Sequence, residues 1–155
     1  MTTAASEPIG NEFKRISERL FHYWDDLRRD RAYPTEGDID YREISDIWDS
    51  CFLVRVSEDV RARGYKYSYL GTSIIEAFGD DLTGQEVYAK LVDTANDDIV
   101  HRFEEMVERA EPLIDESEFI NRRKMLVKYR YCMLPLGREK GKVDYIIGGM
   151  KWKAY

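Results

Sequence analysis

The residue types that most often bind metals or carry catalysis are few in this sequence and poorly spaced. It contains two histidines, His22 and His101, and two cysteines, Cys51 and Cys132. Zinc sites and disulfide frameworks need closely spaced ligands, whereas these cysteines stand singly among apolar or aromatic residues. The glycine patterns of phosphate loops, dinucleotide sites and serine-hydrolase elbows are also missing. We therefore predict no metal site, no cofactor, no catalytic residue and two buried free thiols.

Five tyrosines at alternating positions are the more informative set. Tyr65, Tyr67 and Tyr69 would share one face of a strand, and Tyr129 and Tyr131 one face of another. Buried hydroxyl groups need hydrogen-bond partners. One interpretation is cross-strand aromatic pairs whose oxygen atoms reach the rim of the sheet. The other is a cavity between sheet and helices for a small apolar or aromatic ligand. The predicted lining of that cavity is Tyr67, Tyr69, Ile75, Phe78, Leu91, Phe103, Tyr129 and Met133.

An N-terminal segment precedes the elements that carry these tyrosines. Residues 1–10 contain Pro8 and Gly10 and offer little to bury, so we predict a disordered tail. From 11 to 31, apolar residues recur at three- and four-residue steps, which predicts an amphipathic helix that Pro34 ends. The apolar stripe is Phe13, Ile16, Leu20, Tyr23, Trp24 and Leu27. Asp40 and Glu43 then have the spacing of an N-terminal cap, which predicts one short helix before residue 50.

The rest of the chain predicts strands around two further helices. β-Branched and aromatic runs at 51–56 and 64–70 indicate a hairpin. Ser73 and Glu76 have capping-box spacing for a short helix that Gly79 can end in the left-handed conformation. A second helix, between 94 and 110, has a buried stripe formed by Ile99, Phe103, Met106, Val107 and Ala110. Strands at 113–120, 125–136 and 143–152 are joined by polar turns and form a meander.

These elements predict one α+β domain. The expected fold is a five-stranded antiparallel sheet with helices packed on one face and an additional N-terminal amphipathic helix. We expect the tail at 1–10, a helical extension at 11–49 and the folded domain at 50–155. A length of 155 residues suits a single hydrophobic core of ordinary size.

Charge and hydropathy argue against two classes of partner. Thirty acidic residues against 24 basic ones give a formal net charge of −6, which disfavours nucleic acid. The dense basic run, Arg122 to Lys124, fits the polar tip of a hairpin. No apolar run approaches the roughly 20 residues that a membrane-spanning helix needs, and residues 1–10 do not resemble a leader. We therefore expect no nucleic-acid or membrane partner and a cytoplasmic location.

The order of two strands, a helical clamp and a three-stranded meander resembles the PAS domain. Local signatures are similar to single-domain, PAS_5-like proteins of alphaproteobacteria. They are Tyr23-Trp24-x-x-Leu27-Arg28, Pro34, Asp38-Ile39-Asp40, Tyr67-Ser68-Tyr69-Leu70-Gly71-Thr72, Leu82-Thr83-Gly84, Leu134-Pro135-Leu136 and Gly141-x-Val143-Asp144. The turn at 137–141 departs from the pattern because it is more basic than the turn typical of this group.

The resemblance implies a bacterial sensor or regulatory module without a reaction of its own. Such a module binds a small molecule or a protein partner, and we expect it to act in trans on a signalling protein. The resemblance also implies that the flanking helix pairs with a second copy. We therefore predict a homodimer with contacts at Phe13, Leu20, Trp24 and Leu27. The alternative is that the same stripe packs on the chain's own sheet.

The resemblance also raises two cofactors and one other class of protein. Haem-binding PAS domains carry an axial histidine on the central helix, but His101 is expected on the polar side of that helix. Flavin photoreceptors of the PAS type use a helical cysteine, whereas Cys51 and Cys132 fall on predicted strands. A small cone-shaped α+β enzyme or carrier of the steroid-isomerase type is the alternative. It would need an aspartate or histidine base facing the cavity, and none is predicted there.

Overall fold

The computed structural model describes residues 7–58, 63–87 and 98–155. The helices are α1 (Glu7–Arg28), α2 (Thr72–Phe78) and α3 (Asp98–Arg109). The strands are β1 (Cys51–Glu58), β2 (Arg63–Leu70), β3 (Leu113–Ile120), β4 (Leu126–Leu136) and β5 (Tyr145–Ala154). They form one antiparallel sheet in the order β2-β1-β5-β4-β3, so the predicted hairpin and meander are joined through β1 and β5. The predicted fold class is confirmed.

One face of the sheet is covered by α2 and α3. The predicted stripe of α3 is confirmed, because Phe103, Met106 and Val107 are buried against the sheet. His101 is exposed, as its position relative to Phe103 predicts. The buried residues on this side form what we name the cavity-side core. They include Phe52, Val54, Tyr65, Tyr67, Leu70, Ile74, Phe78, Phe103, Met106, Phe119, Val127, Tyr131, Met133, Ile146 and Met150.

The opposite face of the sheet is covered by α1, which begins at Glu7, four residues before the predicted start. Its apolar stripe meets β4 and β5 in what we name the helix-side core. This core contains Phe13, Ile16, Leu20, Tyr23, Trp24, Tyr33, Ile44, Ile47, Cys51, Cys132, Leu134, Leu136 and Ile147. The Trp24 Nε1 donates to the Pro135 carbonyl oxygen over 2.8 Å. The helix therefore packs on the chain's own sheet.

This packing corrects the predicted dimer contact. Phe13, Leu20 and Trp24 are buried within the chain, and Leu27 is half-buried beside them. The correction has a physical reason, because residues of β4 and β5 that point away from the cavity are apolar and need a cover. These are Cys132, Leu134, Leu136 and Ile147. The stripe therefore packs mainly within the chain, and only Leu27 keeps part of its surface exposed.

Two short segments differ from their predicted helices. Between 36 and 50 the chain forms three single 3₁₀ turns, Glu36–Asp38, Tyr41–Ile44 and Trp48–Ser50, rather than one helix. Asp40 still caps the second turn by accepting from the Arg42 backbone N–H. The helix α2 begins after Gly71, not at a Ser73 cap. The Ser73 hydroxyl instead accepts a hydrogen bond from the Trp152 ring nitrogen over 3.0 Å. Gly79 ends α2 in the left-handed conformation, as predicted.

A β-bulge changes the face on which Tyr69 lies. Leu53 pairs with Tyr69, but its neighbour Val54 pairs with Tyr67, so Ser68 is the extra residue in β2. One inserted residue moves every following side chain to the other face. Tyr69 therefore stacks on Trp48 on the helix side, with ring centroids 4.3 Å apart, and donates to the Trp48 carbonyl oxygen over 3.0 Å. The prediction that Tyr69 lines the cavity is wrong.

Residues 7–10 of the predicted tail belong to α1, and residues 1–6 lie outside the described residues, but the predictions for the cysteines and for the basic run are confirmed. Cys51 and Cys132 are buried free thiols on strands. The basic residues Arg122 to Lys124 occupy the turn between β3 and β4. Within the described ranges, no helix is long and apolar enough to cross a bilayer.

Candidate ligand-binding cavity

A cavity of about 40 Å³ lies inside the cavity-side core, between the sheet and the helices α2 and α3. Seven of its lining residues are aromatic, and they come from the strands β1 to β4 and from α2 and α3. The strand β5 contributes the thioether side chain of Met150. The lining is Phe52, Tyr67, Leu70, Ile74, Phe78, Ile99, Phe103, Ser117, Glu118, Phe119, Tyr129, Tyr131 and Met150. Such a surface suits an apolar guest, because it offers dispersion contacts and few charges.

The aromatic lining is a continuous series of ring contacts. Tyr67 meets Phe78 at a centroid distance of 5.8 Å, and Phe78 meets Phe119 at 5.3 Å. Phe119 in turn meets Tyr129 at 5.5 Å, and Tyr129 meets Tyr131 at 5.3 Å. These tilted and edge contacts are the favourable geometries for aromatic pairs. Cross-strand aromatic packing and a cavity, the two interpretations of the tyrosine pattern, therefore occur together.

The hydroxyl of Tyr67 is the polar group of greatest interest. The side chain is 5% exposed, and burial raises the pKa of its hydroxyl, with Tyr129 nearby adding to the effect. Among the residues that the structure describes, no hydrogen-bond partner for this hydroxyl is found. Every fully enclosed side-chain oxygen or nitrogen of the described residues does have a partner, so the Tyr67 hydroxyl is not fully enclosed. Since Tyr67 lines the cavity and burial raises the pKa of its hydroxyl, this group is a protonated donor at the cavity wall.

Neighbouring tyrosines differ from Tyr67 because protein groups approach their hydroxyls. The Tyr65 hydroxyl contacts the carboxylate of Glu104 on α3. Burial raises the pKa of the Tyr131 hydroxyl, with Tyr129 and Asp115 adding to it, while a hydrogen bond from Arg102 acts in the opposite direction. Tyr65 is anchored to α3, and Tyr131 is buried next to the ion pair of Arg102 with Asp115 at 2.7 Å.

The structure brings together half of the eight predicted lining residues. Tyr67, Phe78, Phe103 and Tyr129 line the cavity. Ile75 and Met133 belong to the same core without reaching the cavity. Tyr69 lies on the other side of the sheet, and Leu91 lies outside the described residues.

Several lining residues were not predicted. Ile74 takes the place of Ile75, because the helix α2 is rotated by one position relative to the expectation. Tyr131 belongs to the tyrosine set of the cavity interpretation, whereas Phe119 was missed, although its alternation with the exposed Glu118 in β3 was an available signal. The cavity position of Phe52 depends on Gly148 directly opposite it in β5, which no local pattern reveals.

Comparison with solved structures places the fold among PAS-type light-oxygen-voltage (LOV) domains. The Rhodobacter sphaeroides LOV protein is similar over 72% of this chain and 66% of its own, with a TM-score of 0.54 and 12% identity. The light-state structure of the blue-light photoreceptor Aureochrome1 LOV is similar over 71% of this chain and 85% of its own, with a TM-score of 0.52 and 8% identity. At such identities the likeness concerns the fold.

The comparison of sequences gives the family. No curated protein matches the chain in sequence. A model of the PAS_5 family, described as a PAS domain, matches residues 13–151, a range that covers all five strands and α1 except residues 7–12 of the helix and 152–154 of β5. The strand order and the two helices over the cavity agree with this match. The chain therefore belongs to the PAS_5 family of PAS domains.

Proposed function

We propose that the chain is a cytoplasmic sensory module of bacterial signalling that binds a small apolar or aromatic molecule in the cavity. It would carry out no reaction of its own and act in trans on a signalling partner. The observation that carries this proposal is the space of about 40 Å³ enclosed by seven aromatic residues beneath α2 and α3. A guest there contacts both helices and the sheet, so binding can shift the balance between two packings of these elements.

The geometry does not fit the flavin chemistry named for one structural relative, a LOV domain studied with a flavin analogue. A space of about 40 Å³ holds a few water molecules, far less than a three-ring cofactor requires. Both thiols, Cys51 and Cys132, belong to the helix-side core, on the other side of the sheet from the cavity. We therefore propose a smaller guest and no thiol chemistry.

No observation favours the enzyme of the steroid-isomerase type. That alternative needs a buried carboxylate or histidine beside Tyr67 to remove a proton. Among the described residues, the buried polar side chains are those of Ser17 and Asn121. Asn121 is held by turn contacts, because its Nδ2 donates to the Ala77 carbonyl oxygen and its Oδ1 accepts from the Arg123 backbone.

The test of small-molecule binding compares two neighbouring isoleucines of α2. Ile74 lines the cavity, whereas Ile75 packs at its margin. We expect native mass spectrometry, or thermal shifts across a metabolite library, to reveal a guest of the wild-type protein. Ile74→Phe should abolish that signal by filling the cavity, and Ile75→Phe should keep it. No retained mass and no thermal shift for the wild type would contradict the proposal.

Because the apolar stripe of α1 is buried within the chain, we propose that the homodimer forms through the outer surface of this helix. There Phe21 is 39% exposed and Ile114 at the sheet edge is 62% exposed. Both line a groove of about 230 Å³ between α1 and β3. An exposed apolar patch of this kind is suited to pairing with a second copy. In sedimentation equilibrium, the double variant Phe21→Glu, Ile114→Glu should be monomeric, whereas Tyr41→Glu, at another exposed aromatic, should leave the dimer intact. A monomeric wild type would contradict the dimer.

A further inference from the structure

We infer that the guest of the cavity is an uncharged, single-ring aromatic molecule with a hydrogen-bond acceptor that the Tyr67 hydroxyl binds. This inference rests on the proposed function and narrows it to a chemical class. Three properties of the described residues support it, namely the charge of the cavity wall, the unpaired donor and the size of the space.

Among the described residues, no charged side chain points into the cavity to balance an ionised guest. Its inward side chains are aromatic and aliphatic, with hydroxyl groups as the polar exceptions. Glu118 contributes to the wall, but its side chain is exposed, and alternation in β3 directs it away from Phe119. An ionised ligand would lose its hydration without gaining an opposite charge, which is strongly unfavourable. The bound guest is therefore uncharged.

The Tyr67 hydroxyl supplies a donor that the described part of the protein leaves unused. Neighbouring hydroxyls are engaged, since Tyr65 contacts Glu104 and Trp48 accepts from Tyr69. A buried donor without an acceptor is costly, so proteins rarely keep one unless water or a ligand completes it. Because burial keeps this phenol protonated, the complementary group is an acceptor such as a carbonyl oxygen or an aza nitrogen.

The size of the space sets the upper limit on the guest. A water molecule needs about 10–15 Å³ of such volume, so 40 Å³ accommodates only a few waters as it stands. An apolar cavity that binds benzene measures about 150 Å³, so a single ring enters this space only when one wall moves outward. Ile99, in the first turn of α3, is half-buried and is the lining residue of α3 with the most freedom to move outward, since Phe103 is fully buried. Fused ring systems would require a larger displacement of the wall than a single ring.

The test uses two probes of the same shape that differ in the acceptor. Acetophenone carries a carbonyl group on a single ring, and isopropylbenzene has the same number of heavy atoms without it. Calorimetry should show that the wild type binds both. The variant Tyr67→Phe should lose about three- to tenfold in affinity for acetophenone, the usual effect of one hydrogen bond, and none for isopropylbenzene.

The matched control is Tyr65→Phe, which removes a hydroxyl from the same strand outside the cavity lining. It should leave the ratio of the two affinities unchanged. If both probes bind the wild type and Tyr67→Phe does not change that ratio, the inference is overturned while small-molecule binding stands. If neither probe binds, the inference is overturned, and a thermal-shift response to other metabolites then decides separately whether the proposed function survives.

Discussion

The ring of Phe52 lies in the space that a side chain on Gly148 would occupy. The two residues pair directly across β1 and β5, and a β-carbon at Gly148 would lie 2.2 Å from the Phe52 Cζ and 2.6 Å from the Cys132 carbonyl oxygen. The missing side chain lets Phe52 lie flat over the sheet and form part of the cavity wall. The absence of a side chain at Gly148, in the central strand, thus makes room for one part of the cavity wall.

Gly148→Ala should therefore destabilise the fold and alter the cavity. The added methyl group must displace the ring and the strand backbone, and overpacking of this kind costs about 1–3 kcal/mol. Urea unfolding measures the loss. Gly10→Ala is the control, because its β-carbon in α1 would meet only the Arg130 guanidinium at 3.7 Å. That variant should be as stable as the wild type or slightly more so. Equal stabilities of all three proteins would contradict the described contact.

Leu20→Ala tests whether α1 packs within the chain. Leu20 is completely buried in the helix-side core, so its truncation should reduce the free energy of unfolding by about 2–5 kcal/mol. Lys14→Ala, at an exposed position of the same helix outside the groove with Ile114, should cost about 1 kcal/mol or less. Packing within one chain makes the cost of Leu20→Ala independent of protein concentration. A cost that grows on dilution would show that Leu20 instead contacts a second copy.

The sequence predicts well the features that depend on local pattern. The alternation in β4, the α3 stripe around Phe103 and the end of α2 at Gly79 were all predicted, because each follows from periodicity or from one backbone conformation. The candidate site follows in part, since Tyr67 and Tyr129 lie where alternation places them.

Features that depend on pairing between distant segments could not be predicted. The bulge at Ser68, which moves Tyr69 to the helix side, appears only in the register of β1 against β2. The same holds for Gly148, whose role depends on Phe52 from another strand. The α1 stripe was assigned to a second copy although it packs on the chain's own sheet, because an amphipathic helix fits either surface equally well.

Asp38 should make stability depend on pH in the acid range. Its carboxylate accepts from the Thr35 backbone N–H over 2.9 Å and pairs with Arg31 at 3.0 Å, and these contacts lower the pKa of Asp38 below its usual 3.8. A lowered folded-state pKa adds stability above pH 3.8, which is lost as the pH falls through the folded-state value. Asp38→Asn should therefore be less stable than the wild type at pH 7, with the difference shrinking below pH 3.8.

The control for Asp38 is Asp26→Asn, which removes the same charge from an exposed site of α1. Urea unfolding at several pH values should give nearly the wild-type curve for this control. A constant difference between Asp38→Asn and the wild type down to acid pH would mean that the Thr35 contact does not depend on the carboxylate charge.

Removing the hydroxyl of Tyr33 should destabilise the fold, whereas removing the hydroxyl of Tyr67 should not. The Tyr33 hydroxyl donates to the Glu139 carbonyl oxygen over 2.6 Å and accepts from the Lys142 backbone N–H over 3.0 Å. Tyr33→Phe removes both contacts and leaves only the 3.2 Å hydrogen bond from the Lys142 N–H to the Glu139 carbonyl oxygen, so it should cost about 1 kcal/mol. Tyr67→Phe removes a buried donor for which the described residues offer no acceptor, so stability should stay constant or rise.

The comparison of Tyr33→Phe with Tyr67→Phe distinguishes a hydroxyl that stabilises the fold from one that is available to a ligand. Thermal and urea unfolding of the ligand-free protein measure the two variants under the same conditions. If Tyr67→Phe loses as much stability as Tyr33→Phe, its hydroxyl has a partner within the chain, and the donor is not available to a ligand. If Tyr67→Phe is as stable as the wild type, the hydroxyl contributes nothing to folding, which is the behaviour expected of a group that binds a guest in the cavity.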